Sequence, residues 1–163
     1  MKNYILSQEV AEKKLRRMAL EIVENNSEEK QLILAGIWQN GTVVAKVIRE
    51  MLSEYAAIKT DLVTIKLDKR KPGKVTLSKK INPDGKVVIV IDDVADSGRT
   101  ILYSLKPFLD FHPKKIQTLV LVERSHNSFP VRSDYVGLSV STTLQEHIVV
   151  EVDKEKVLGA YLQ

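Results

Sequence analysis

The chain contains three short runs, QLILAGI (31–37), KVVIVI (86–91) and KIQTLVLVE (115–123), in which apolar residues cluster without alternating with polar ones. A strand with one wet face alternates; runs of this kind are buried on both faces and require a sheet covered on both sides. The covering layers are legible between them. Ser7 is placed to cap a helix running to about Asn26, with Leu15, Met18, Ala19 and Ile22 on one face and Arg16, Arg17 and Glu21 off it. After Gly41, Val44, Val47, Ile48, Met51, Leu52 and Tyr55 recur at helical spacing. Beyond Gly98 a third helix is predicted, with Ile101, Leu102, Leu105, Phe108 and Leu109 on one side. DLVTIKL (61–67) reads as a further strand. Strands alternating with amphipathic helices make the fold class α/β, a parallel sheet flanked by helices.

At 163 residues, with 44% hydrophobic residues, the chain has the size of one domain with its own core. No linker, repeat or low-complexity tract divides it, so residues 1–163 are read as a single domain. From Asp134 onward two strand-like runs, YVGLSV and EHIVVEV, are expected to form a small hood or an edge addition. The absence of cysteine excludes disulfides and thiolate metal sites. The start of the chain lacks the apolar core of a signal peptide and no run has the length of a membrane span, so a cytoplasmic protein without a membrane partner is expected. The net charge is +4, and between Lys66 and Lys80 seven basic residues face one acid, Asp68. Pro72, Gly73, Pro83 and Gly85 break this stretch into a loop or ragged hairpin, either solvated or handling phosphates.

The run VVIVIDDVADSGRT (87–100) ends an aliphatic strand in two adjacent acids, Asp92 and Asp93, followed by a small polar turn. In open α/β sheets ligands bind beyond the C-terminal ends of the strands. A turn entering a helix presents unpaired N–H groups that suit a phosphate, Gly98 admits close approach, and Ser97 and Thr100 add hydroxyls. The acids repel phosphate and accept hydroxyls, so the pair beside the cradle suits a ribose 5-phosphate. Taken singly, Asp96 or Ser97 reads as a helix cap and the acids as part of an ordinary turn.

This string resembles the phosphoribosyl pyrophosphate (PRPP) motif of type I phosphoribosyltransferases, at the two acids and at SGRT. The resemblance implies transfer of a 5-phosphoribosyl group to a nitrogen base on a flavodoxin-like core topped by a hood, with Mg2+ as cofactor held through the substrate and no direct protein ligand. It assigns Asp92 and Asp93 to the ribose as catalytic residues, and Ala95, Asp96, Ser97, Gly98, Arg99 and Thr100 to the 5'-phosphate. A second stretch, residues 120–143, is similar to the hood segment of the family's PyrR branch, whose members are pyrimidine-operon regulators and uracil phosphoribosyltransferases. The likeness lies at Glu123, Arg124, His126, Pro130, Arg132, Asp134, Tyr135 and Gly137, and implies base recognition around Glu123, Arg124, His126 and Arg132. Without it, His126 reads as a surface histidine and the two arginines as salt-bridge partners.

The chain departs from that branch in three places. The pyrophosphate loop, Ile37, Trp38, Gln39, Asn40 and Gly41, lacks the usual lysine and arginine, and Trp38 is read as a packing residue more than a site residue. The basic stretch stands where the family has a longer catalytic lid. Asn127 and Leu138 occupy places where the branch has basic side chains near the hood, so an RNA partner ranks below the enzyme. The leading expectation is a Mg2+-dependent transferase making UMP from uracil and PRPP, as a homodimer or larger oligomer. The alternatives are a nucleotide- or PRPP-sensing RNA-binding regulator with weak or no catalysis, and a transferase of another base such as hypoxanthine.

Overall fold

A computed structural model describes residues 1–143 and 145–163. In chain order the elements are β1 (Asn3–Leu6), α1 (Gln8–Asn25), β2 (Gln31–Ile37), α2 (Asn40–Tyr55), β3 (Lys59–Leu67), β4 (Val75–Leu77), β5 (Val87–Ala95), α3 (Arg99–Ser104), α4 (Lys106–Leu109), β6 (Lys115–Arg124), β7 (Tyr135–Val140), β8 (Ile148–Asp153) and β9 (Lys156–Leu162). Six strands form one sheet in the order β4-β3-β2-β5-β6-β7. All neighbours are parallel except β4, which returns antiparallel along β3 as the expected ragged hairpin.

The unalternating runs do sit at the centre with both faces covered. On β2 and β5, Leu32, Leu34, Val87, Ile89 and Ile91 pack with α1 and α2, against Leu15, Met18, Ile22, Val44 and Ile48. The intervening Ile33, Ala35, Ile37, Val88 and Val90 face the other way, towards Ile101 and Phe108. This period of two is the strand pleat, and it divides one apolar run between two cores.

Ser7 caps α1 as expected, its Oγ accepting from Val10 N at 3.3 Å. The third predicted helix is broken at Leu105 into α3 and α4. Pro107 has no N–H to donate to Tyr103, so the helical ladder lapses there. The break turns the face: Ile101 and Phe108 are buried while Leu109, expected beside them, is exposed. The two C-terminal runs part company. YVGLSV becomes β7 and extends the main sheet at its edge, whereas β8 joins β9 and β1 in a separate antiparallel sheet ordered β1-β9-β8, the hood. Among the described residues no helix is long and apolar enough to cross a membrane.

Candidate active site

β5 does not stop at its aliphatic residues but continues through the acids to Ala95, in register with β6 from Val87↔Lys115 to Ala95↔Glu123. Both carboxylates therefore stand at the end of a central strand, in unlike surroundings. Asp92 is 1% exposed and Asp93 8%. One Asp92 oxygen, Oδ1, accepts from the Asp93 N–H at 2.9 Å. The other, Oδ2, is buried without a hydrogen-bond partner, 3.7 Å from Lys69 Nζ. Burial pushes the Asp92 carboxyl well above the usual carboxylate range; the Asp93 charge adds to this and Lys69 opposes it. Asp93 Oδ2 accepts from Asn40 Nδ2 at 3.0 Å, and the same amide group donates to the Val150 carbonyl of β8 at 3.1 Å.

After Ala95 the chain turns through Gly98 at φ +87°, a left-handed conformation that glycine adopts without strain. Ser97 O accepts from the N–H groups of Ser128 and Phe129 at 3.0 and 3.1 Å, so the segment after β6 props the turn from behind. The N–H groups of Ser97, Gly98 and Thr100 find no acceptor among the described residues. Arg124 Nε lies 2.9 Å from Asp96 Oδ1, an ion contact without an aligned hydrogen bond, and its Nη2 donates to Glu146 O at 2.5 Å. The loop after β2 is pinned by Trp38 N donating to Ile65 O at 2.9 Å. Trp38 itself is 49% exposed, with Lys66 Nζ 5.9 Å from its ring centroid.

These elements enclose a cavity of about 480 Å3. The turn from Ala95 to Thr100 forms one wall, Asp93, Asn40 and Lys69 a second, and Ile148 to Val150 of the hood the third. A neighbouring cavity of about 370 Å3 lies between Lys69, Asp93 and the loop residues Trp38 to Asn40. Among the described residues no three His, Cys, Asp or Glu side chains are grouped to hold a metal ion.

The phosphoribosyl transferase domain model matches residues 3–155. The chain belongs to this family. The bifunctional protein PyrR of Haemophilus ducreyi is 32% identical to it, over 94% of this chain and 91% of that protein. The PyrR of Halalkalibacterium halodurans is also 32% identical, over 94% and 92%. The hypoxanthine phosphoribosyltransferase of Trypanosoma cruzi superposes with a TM-score of 0.82 at 13% identity, covering 98% of this chain and 95% of that one. A hypoxanthine-guanine phosphoribosyltransferase of Bacillus anthracis gives 0.76 at 21%, covering 99% and 96%. The two solved structures share the fold.

In this phosphoribosyltransferase the sequence-predicted residues are only partly assembled. Asp93, Asn40 and all six residues from Ala95 to Thr100 line the main cavity, and Trp38 and Gln39 line its neighbour. Asp92 stands behind Asp93, off both walls; Ile37 is buried in the core and Gly41 at the start of α2. The group expected to read the base does not reach either cavity: His126 and Arg132 point to solvent, Glu123 is half-buried in β6, and Arg124 is engaged with Asp96 and Glu146. The family resemblance marked these residues; read by themselves, His126 was expected at the surface and Arg124 in a salt bridge, and both are found so. Trp38, for which a packing role was expected, is half-exposed beside the smaller cavity. Two contributors were missed. Lys69 was one of seven equivalent bases in the sequence, and Ile148 to Val150 carried only a strand signal.

Proposed function

We propose that this phosphoribosyltransferase moves the 5-phosphoribosyl group from PRPP to a pyrimidine base, uracil, giving UMP and pyrophosphate. The observation that carries the reading is the Asp93 carboxylate, backed by buried Asp92, beside a turn with unsatisfied N–H groups on one cavity. The 5'-phosphate takes the N–H groups of Ser97, Gly98 and Thr100 with the two hydroxyls. Asp93 accepts from a ribose hydroxyl while Asn40 fixes its orientation. The pyrophosphate lies along residues 37–41. The reaction forms a bond from the base nitrogen to the anomeric carbon as the bond to pyrophosphate breaks, pyrophosphate leaving with the electron pair and the base's N–H proton passing to solvent, so the protein contributes positioning and charge stabilisation.

The hard oxygens of Asp93 and of the donor fit Mg2+, an ion that retains several waters and is commonly held through substrate phosphates. When bound it supplies charge neutralisation to the leaving pyrophosphate.

The remaining wall, β8, is suited to the base. His147 and Gln163 exchange both backbone hydrogen bonds, His147 N donating to Gln163 O at 2.8 Å and Gln163 N to His147 O at 2.9 Å, so the alternate residues Ile148 and Val150 turn their peptide groups to the outer edge of the hood sheet. A strand edge offering N–H and C=O together reads a base by backbone, in place of the recognition expected around Glu123, Arg124, His126 and Arg132.

The test is incubation with PRPP and Mg2+ and each of uracil, hypoxanthine, guanine, adenine and orotate, with and without a chelator. Chelator-sensitive UMP and pyrophosphate from uracil alone support the reading; product from a purine alone overturns the base assignment. One observation favours a second reading, a PRPP- or nucleotide-sensing RNA regulator: residues 37–41 carry no cation for the pyrophosphate. Binding of a pyrimidine-operon leader with a steep salt slope and sequence preference, without turnover, supports it.

A further inference from the structure

A third cavity, of about 350 Å3, lies between α2 and the turn that joins β8 to β9. Trp38, Gln39 and Asn40 line it as they line the cavity beside Asp93, but neither acid of β5 nor Lys69 is on its wall. Its other walls are Thr42, Val43 and Lys46 of α2, and Val152 and Lys154 of the hood.

Two cations and no acid line this space among the described residues. They come from different elements: Lys46, half-buried, from the second turn of α2, and Lys154, exposed, from the two-residue connection between Asp153 and Lys156. Neither is paired with an acid among the described residues. Like charges brought to one cavity without a counter-charge repel each other, and an anion between them removes that cost.

The floor adds a polar group in need of a partner. Thr42 stands one helical turn before Lys46 and so on the same face. It is 7% exposed, and its Oγ1 is buried with no hydrogen-bond partner among the described residues. A buried hydroxyl left unpaired is costly, and a ligand oxygen satisfies it. The positive end of α2 also lies here without a side-chain cap, since Gln39 makes no cap bond. At the rim, Trp38, the chain's one tryptophan, offers a half-exposed flat ring.

We propose that this cavity is a second, non-catalytic site for a phosphomonoester that carries a flat ring, with its phosphate between Lys46, Lys154 and Thr42 and its ring against Trp38. Small-molecule pockets run from roughly 300 to 1,000 Å3, so the space suits one nucleoside monophosphate. The site stands whether or not the turn at residues 95–100 takes a phosphate.

The experiment is an amide NMR titration of wild type and of the Lys46→Met, Lys154→Asn double variant with AMP, adenosine and ribose 5-phosphate. Lys154 holds φ +39°, a left-handed position that asparagine adopts more readily, so Lys154→Asn removes the charge without straining the turn. In wild type AMP is expected to shift the amides of residues 42–46 and 152–154. Losing the charge-assisted bonds weakens AMP there by roughly 10- to 100-fold for each lysine, while the rest of the double variant's spectrum stays in place. Adenosine and ribose 5-phosphate, each lacking one half of the ligand, bind there more weakly than AMP. AMP shifts confined to residues 95–100 overturn the inference, as does a response at residues 42–46 that survives in the double variant. Ribose 5-phosphate binding there as tightly as AMP overturns the contact with Trp38. Silence at residues 95–100 beside a response at residues 42–46 counts against the phosphate turn of the proposed function and supports this site.

Discussion

Gly41 lies against Asp92 with no room for a side chain between them: a Cβ at residue 41 would stand 2.6 Å from Ile91 O and 3.0 Å from both Asp92 Cα and Asp92 Oδ1. The first turn of α2 is thereby seated on the carboxylate end of β5. Gly41→Ala gains about 1 kcal/mol of helix propensity, but overpacking against backbone costs about 1–3 kcal/mol and the central strand cannot retreat. The variant is expected to be less stable in urea and to lose most of its turnover, because any relief moves Asn40 or Asp92. An alanine variant matching wild type in both would mean that α2 slides without disturbing the acids.

The burial of Asp92 carries a pH signature. Its folded carboxyl binds a proton more tightly than the same group in the unfolded chain. The group's contribution to stability is therefore complete below the unfolded value of about 3.9 and is lost as pH rises through the raised folded value. Asp92→Asn removes that loss. Its amide is placed to donate towards Asp93, while its oxygen keeps the bond from Asp93 N. Thermal unfolding at pH 8 should show a higher midpoint for Asp92→Asn than for wild type, with the gap closing towards pH 4. A gap that widens on acidification would contradict the direction of the shift. Asp92→Asn combined with Asp93→Asn should abolish turnover with the fold intact, and full activity would remove both residues from the site.

The core was legible because its signal is local. In β2 and β5 every aliphatic position is used, and the pleat assigns alternate residues to the two cores without reference to anything distant. The acids and the turn after them were legible for the same reason, since their chemistry lies within one short stretch. The hood was legible only through β8, because the sheet is built from the two ends of the chain: Tyr4 of β1 pairs with Tyr161 of β9, and neither short run shows its partner. The third helix misled because its apolar spacing is regular and the decisive residue, Pro107, acts through a missing N–H. Lys69 is the extreme case. Nothing in its sequence neighbourhood separates it from Lys66 or Lys71; the hairpin's register alone carries it to Asp92.

Asn40 joins the core sheet to the hood through one amide group, donating to Asp93 Oδ2 and to Val150 O. Asn40→Ala leaves both acceptors without that donor, at a cost of about 1–3 kcal/mol. It frees the Asp93 carboxylate and the edge of β8 together, so the KM for donor and for base should both rise. Asn40→Asp is nearly isosteric but sets a carboxylate 3.0 Å from Asp93 Oδ2, and should be the more damaging of the two. Steady-state kinetics on both variants check the ordering; an aspartate variant as active as wild type would exclude the bridge from the mechanism.

The turn assigned to the 5'-phosphate contains an acid, Asp96, which by itself repels the ligand. Arg124 stands 2.9 Å from that carboxylate and is itself largely buried, so it offsets the charge from behind the cradle. Arg124→Met leaves Asp96 without its counter-charge and should raise the Kd for a 5'-nucleotide several-fold. Asp96→Asn alone should change it little, and the double variant should recover affinity although the bond from Arg124 to Glu146 O is still gone. That recovery separates screening from scaffolding, since a role confined to holding the segment at Glu146 would leave the double variant as weak as Arg124→Met. Nucleotide titrations across the four proteins measure the coupling between the two positions directly. Additive effects would mean that Arg124 serves the hood and not the phosphate.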